Sequence, residues 1–185
     1  MQNNAATNIY ALQVRTKGEE KFIRRARSLH PEFGCGLSFP QRCLDIRKGG
    51  KVKPSKLAVF PGYVFLELGA EEDAKSCFWA FRKIEGFYRF LRSNRDIAPL
   101  RDRDLELALH FIKKVGPLAG KSKVYFDEES KIVVLHGPLA GLEGRIVRVD
   151  RRKKRAKVSL DLYGDSFFVD LAFEVIEKAS EMSAR

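Results

Sequence analysis

The chain predicts an α+β protein: a mixed domain of strands and helices, followed by a small domain built from strands alone. Three observations carry that reading. Hydrophobic residues make up 44% of 185 positions and aromatics 11%, which is the composition of a folded protein. Apolar spacing alternates between the strand period of two and the helical period of 3.6 as far as residue 115. From Val124 onward only short strand-like runs remain, punctuated by glycines at 137, 141, 144 and 164.

The elements follow in order. Ile9 to Arg15 alternates as a strand, with Tyr10, Leu12 and Val14 on one side. Thr16-Lys17-Gly18-Glu19 fits a capping box, in which hydroxyl and carboxylate satisfy reciprocal amides at a helix start. The helix that follows places Phe22, Ala26 and Leu29 on one stripe, with Arg24, Arg25 and Arg27 off it, and His30-Pro31 ends it. Leu37 to Arg47 reads as extended, Lys48-Gly49-Gly50-Lys51 as a hairpin turn, and Val52 to Leu57 as the returning strand.

Phe60-Pro61-Gly62 then opens a strand that is apolar on both faces: Val64, Leu66 and Leu68 on one, Tyr63, Phe65 and Glu67 on the other. Ala74 to Ile84 has helical spacing in Cys77, Phe78, Phe81 and Ile84; Phe87 to Leu91 is a strand; Leu105 to Val115 is a last helix, with Leu105, Leu109 and Ile112 in step. Strand, helix, strand, strand, helix, strand is the ferredoxin-like order. That architecture covers one sheet face and leaves the other open or partly covered, so Tyr63 and Phe65 are expected on the uncovered face, the alternative being core residues beneath an extra helix.

A Gly/Pro/Lys stretch over 116–123 reads as a linker. Beyond it, Lys131 to Leu135, Gly144 to Val149, Ala156 to Leu162 and Phe167 to Leu171 are the expected strands of a small barrel, closed to avoid exposed edges. Gly116 to Gly120 recurs at Gly137 to Gly141, but the flanks differ and no repeat is inferred.

Charge and chemistry narrow the function. A net charge of +11 favours a polyanionic neighbourhood such as nucleic acid. Two runs concentrate it: Arg47, Lys48, Lys51 and Lys53 at the hairpin, and Arg148 with Arg151, Arg152, Lys153, Lys154 and Arg155 at a later turn. No apolar run approaches the roughly 20 residues of a membrane span, and Met1 to Asn8 lacks the regions of a signal peptide. Cys35, Cys43 and Cys77 are scattered and odd in number, which suits idle thiols in a reducing cytoplasm. His30, His110 and His136 stand apart and none pairs with a cysteine at metal-ligand spacing. Asp161 and Asp165 bracket a Tyr-Gly turn. No catalytic constellation is present, so an enzyme and a cofactor are not expected.

Two segments carry a resemblance. Phe60-Pro61-Gly62-Tyr63-Val64-Phe65-Leu66 is similar to the central strand of the NusG family of transcription elongation factors. His136-Gly137-Pro138-Leu139-Ala140-Gly141 through Asp150 resembles a KOW motif, and Lys157 to Gly164, Val169 to Leu171 and Val175 to Glu177 resemble the rest of its barrel. The resemblance implies a ferredoxin-like NGN domain over 8–115, a linker over 116–123 and an SH3-like KOW barrel over 124–178. It implies docking on the clamp helices of RNA polymerase through Tyr63 and Phe65, with Tyr10 and Phe90 nearby. Lys75 and Ser76, opening the second helix, would face the opposite wall of the main cleft, although Ala74-Lys75-Ser76 carries no recognisable wall-binding motif. Spanning the cleft suppresses pausing and termination. The KOW domain would recruit a ribosomal protein, a termination factor or RNA.

The basic turn and Asp161 to Phe167 are most similar to the LoaP-type antiterminators, which implies a cytoplasmic monomer acting on selected operons through a nascent RNA hairpin, DNA, or both. Two readings compete. One is an RNA-recognition module stacking bases on its open sheet, with Pro61 where a cation is expected. The other is a ribosome-associated KOW protein.

Overall fold

The computed structural model of the protein describes residues 7–34 and 36–176. Met1 to Ala6, Cys35, the side chain of Lys48 and everything from Glu177 onward lie outside the described residues, together with the expectations placed on them. The described chain divides into two compact units: 7–34, 36–41, 58–117 and 161–165 form the first, and 42–57, 118–160 and 166–176 the second. Sequence reading kept residues 42–57 with the first domain; here that hairpin groups with the second.

The first unit is built on four strands: β1 (Thr7–Val14), β2 (Leu37–Ser38), β5 (Tyr63–Gly69) and β6 (Phe87–Phe90). Their order is β2-β5-β1-β6, the arrangement a strand-helix-strand-strand-helix-strand chain adopts. β1 lies antiparallel to β5 over seven register pairs, from Thr7 opposite Gly69 to Gln13 opposite Tyr63. One face packs on α1 (Glu19–Leu29) and α3 (Ala74–Phe81); between them lies the single turn α2 (Pro31–Gly34). Tyr10, Leu12, Val14, Val64, Leu66, Leu68 and Phe90 meet Phe22, Ile23, Ala26, Cys77 and Phe81 in one core. Leu29, expected on the buried stripe of α1, is 62% exposed, and Ile23 takes its place.

The start of α1 differs from the expected capping box. Gly18 is its N-cap, with no side-chain cap bond. Glu19 is buried and its carboxylate accepts the Gly62 amide at 2.7 Å. A tertiary bond therefore outcompetes the local one. It brings the Pro61-Gly62 turn against Thr16: Gly62 has φ +84°, and a Cβ there would lie 2.9 Å from Thr16 Oγ1. Only glycine meets both demands.

The second sheet face is covered as well. α4 (Asp102–Leu109) continues into a π turn (His110–Lys114) and buries Leu107, Ala108 and Phe111. The buried stripe is thus set off from the predicted Leu105, Leu109 and Ile112. Phe60 packs edge-on against both Phe65 and Phe111, with centroids 5.3 and 5.5 Å apart. Lys113 ties the turn to Glu67 on β5 through an ion pair of 2.6 Å.

The second unit contains two sheets. β3 (Gln41–Lys48) and β4 (Lys51–Ala58) form the hairpin, extended by β7 (Leu118–Ala119) in the order β4-β3-β7. β8 (Ser122–Phe126), β9 (Ile132–His136), β10 (Ile146–Asp150), β11 (Arg155–Leu162) and β12 (Asp165–Val175) form a five-stranded sheet in the order β10-β11-β12-β8-β9. Val158, Leu160, Val169, Leu171 and Phe173 supply its interior by alternation, with Ala172 buried as well. The expected linker holds β7 and the start of β8, and Ser122 within it is fully buried. Its hydroxyl accepts the Leu139 amide at 2.9 Å, seating the Gly-Pro turn of the KOW-like segment.

Replacing Phe111 with Ala should lower the stability of the first unit by about 3–5 kcal/mol, the usual loss for a buried phenylalanine. Leu29→Ala should stay within about 0.5 kcal/mol. Urea midpoints measure both, and a Phe111 variant as stable as the Leu29 variant would remove the second face from the core.

Candidate nucleic-acid interface

The two cation runs separated by a hundred residues of sequence fall in the same compact unit. The β3–β4 hairpin turns at Gly49 and Gly50, both with positive φ, as a two-residue turn between twisted strands requires. Arg47, Lys51 and Lys53 are exposed around it. The second run forms the turn between β10 and β11. Arg148, Arg151, Arg152, Lys153 and Lys154 are exposed there and Arg155 is half-buried. Arg155 donates to the Asp45 carbonyl of β3, and Lys121 reaches the Asp45 carboxylate at 3.4 Å. The hairpin is thereby bonded to the turn.

The cations of that turn are not equivalent. Arg151 lies over the Phe126 ring at 3.8 Å and donates to the Ser130 carbonyl at 2.7 Å, so its guanidinium has internal work. Asp150 accepts the Lys153 amide at 2.9 Å and sits 3.8 Å from its ammonium. That backbone bond, with Lys153, Arg152 and Arg148 nearby, holds the Asp150 carboxyl below its ordinary pKa. Beneath the surface, burial lowers the pKa of Arg42, while Asp170 acts in the opposite sense.

The residues expected to dock on polymerase are placed differently from the sequence reading. Tyr63 is 4% exposed and Phe65 1%, so neither ring stands on an open face. Phe60 and Phe111 cover Phe65, and Tyr63 donates its hydroxyl to Asp165 of the same unit at 2.7 Å. Burial, followed by that bond, raises the Tyr63 pKa. Tyr10 and Phe90 are also buried, and on the other face. Cross-strand partners share a face, and Tyr10 pairs with Leu66 while Phe90 pairs with Leu12. Their rings meet edge-on at 6.4 Å inside the helix-side core. The four aromatics therefore do not form one surface.

Lys75 and Ser76 are exposed. They open α3, where Asp73 caps the helix by accepting their amides at 3.0 and 3.2 Å. Those bonds, led by that from Lys75, lower the Asp73 pKa.

A family profile described as transcription termination factor NusG matches residues 8–109. The chain belongs to the NusG family. The NusG termination/antitermination protein of Buchnera aphidicola is 30% identical over 147 residues, 79% of this chain and 78% of that protein. NusG of Thermus thermophilus is 27% identical over 142 residues, covering 75% and 77%. NusG of Escherichia coli K12 is 29% identical over 80% and 79%. A solved structure of Thermotoga maritima NusG, described as a domain interaction, superposes with TM-score 0.51 at 21% identity, over 90% of this chain and 94% of that one, and shares the fold.

NusG-family proteins are transcription factors, and this member is α+β as its sequence predicts. Among the described residues no cluster of three metal-ligating side chains occurs, and no helix is long and apolar enough to cross a membrane. Sequence reasoning missed Lys157 on β11 and Asp170 and Phe168 on β12, the strands that follow Arg148's β10 in the sheet. The alternation Lys157-Val158-Ser159 marked Lys157 as outward but gave no reason to join it to the run at 151–155.

Cys77 on α3 is fully buried, and burial with the nearby Glu72 and Asp73 pushes its thiol from about 9 up to about 12. A neutral buried thiol stabilises the fold fully below the unfolded value, and that contribution is lost as pH rises from about 9 towards 12. Native protein should therefore leave Cys77 unreactive to Ellman's reagent at mildly alkaline pH, and urea should release it. Above pH 9 the unfolding midpoint should fall less steeply in Cys77→Ala than in the parent. Rapid labelling of Cys77 in the folded state would contradict this placement.

Proposed function

We propose that this NusG-family chain is a transcription elongation and antitermination factor that binds RNA polymerase across its main cleft, suppresses pausing and termination, and is recruited to selected operons by nascent RNA. The observation that carries the reading is the gathering of both cation runs in the second unit. One polyanion can then be held while the first unit remains available to protein.

Several facts support polymerase as that protein. The relatives are termination/antitermination proteins, and the match of the first unit to the family is continuous. Lys75 and Ser76 are assigned to the contact because they are exposed at the start of a capped helix. Tyr63 and Phe65 are assigned to the clamp-helix side as a packed platform that fixes the surface above them, and Tyr10 and Phe90 support the sheet from below. A factor that prefers a closed cleft raises the share of that state in proportion to its differential affinity. It acts where polymerase acts, in the cytoplasm, as a monomer.

RNA recruitment, the LoaP-like element of the reading, is supported by the density of charge at 151–155 and by its bond to the hairpin. A surface that holds a ribosomal protein or termination factor has less need of such a charge. RNA recognised by shape and phosphate position suits it better.

Single-round transcription through an intrinsic terminator should show increased readthrough with the factor, and more on templates carrying the cognate leader RNA. Charge-neutral replacement of Arg47, Lys51 and Lys53 should reduce the leader-dependent part. Equal readthrough on both templates would sink RNA recruitment and leave a general elongation factor. Increased termination would reverse the assigned effect.

A further inference from the structure

Strands β10, β11 and β12 of the second unit line a cleft of about 140 Å3 formed by Arg148, Asp150, Lys153, Arg155, Lys157 and Asp170. Its walls follow from register. Arg148 on β10 stands opposite Lys157 on β11, and Asp150 stands opposite Arg155. Directly opposed residues share a face, and the intervening Ala156 points inward and is fully buried. All four side chains therefore leave the sheet on the same side. The register shift between Ile146 and Arg148 is a bulge that leaves Val147 exposed beside Arg148. Asp170 enters from β12, the neighbour of β11.

Charge decides what the cleft can take. Four cations face two carboxylates, and each carboxylate is already engaged. Asp150 holds the Lys153 amide and ammonium, while Asp170 lies within electrostatic reach of the half-buried Arg42. The surplus is positive, so the ligand is an anion. Size decides further. Pockets for drug-sized molecules run to roughly 300–1,000 Å3, well above this cleft. A single phosphate group suits both measures.

Phe168 adds a second requirement. It is 63% exposed, while its neighbour Val169 is buried. Two residues from Asp170 on β12, it stands on the same face about 7 Å along the strand. An isolated exposed phenylalanine needs no explanation. One placed two residues along β12 from the Asp170 wall of a phosphate-sized cationic cleft matches how proteins hold unpaired nucleotides: cations on the backbone and a ring under the base.

We propose that this face binds single-stranded RNA, with a phosphodiester in the Arg148–Lys157 cleft and an adjacent base stacked on Phe168. The inference rests on the RNA reading above and deepens it. It places the contact on looped or unpaired nucleotides, because a base within a duplex cannot reach the ring without leaving its stack.

The test uses the full chain and two fluorescein-labelled probes of equal length, an oligouridylate and its abasic counterpart, read by anisotropy across a salt series. The parent should prefer the oligouridylate. Phe168→Ala should weaken oligouridylate binding about tenfold, to the abasic level, without altering the salt slope. Arg148→Gln combined with Lys157→Gln should weaken both probes and flatten the slope of log affinity against log salt by about 0.7, the share of the one phosphate the cleft holds. Circular dichroism confirms that each variant is folded.

A Phe168 variant that keeps its preference for the base-bearing probe overturns the stacking, and an unchanged slope in the double variant overturns the cleft. In either case a parent that still binds RNA leaves the broader reading standing. A parent that binds neither probe overturns both.

Discussion

The pairing of β1 with β5 is the constraint from which the first unit follows. Seven consecutive register pairs fix which side chains share a face, and a slip by one residue would send Leu12, Val64 and Leu66 to the wrong side. The bond from Gly62 to buried Glu19 anchors the start of β5 to the start of α1. Helix, turn and strand are thereby set by one carboxylate. Left unmatched at that depth, the carboxylate would cost far more than an exposed one.

With the register fixed, both sheet faces become interior. α1 and α3 cover one; Phe60, Phe111 and the π turn at 110–114 cover the other. π turns are uncommon and their extra residue re-aims side chains. Here Phe111 is fully buried in this layer and Lys113 reaches Glu67. The surface offered to a partner is consequently made of what lies over the rings, and the rings act on it by holding it still.

Much of this was legible in the chain. Strand order, the two-sided strand at Tyr63–Gly69 and the glycine turn at 49–50 all follow from local periodicity and turn chemistry. What was not legible depended on pairs distant in sequence. Glu19 had a local use, capping with Thr16, and nothing nearby indicates that Gly62 would claim it. Phe111 has the spacing of a helix that ends, and only the fold reveals a face to cover. Tyr10 was grouped with Tyr63 by the family resemblance, and only the β1–β5 register, with Tyr10 opposite Leu66, sets them on opposite faces. The two cation runs read as separate sites because the bond between Arg155 and Asp45 spans 110 positions.

The hairpin of the second unit has one more property. β4 is the outer strand of its sheet, and an outer strand offers unpaired amides and carbonyls to any other chain. This one carries Lys51, Lys53 and Lys56, and Pro54 removes an amide altogether. Two copies approaching edge to edge would bring these ammonium groups together and repel. A polyphosphate approaching the same edge would be attracted. The residues that keep the strand from its own kind are therefore the ones that leave it open to nucleic acid, so that solubility and ligand choice at this edge are a single selection on charge.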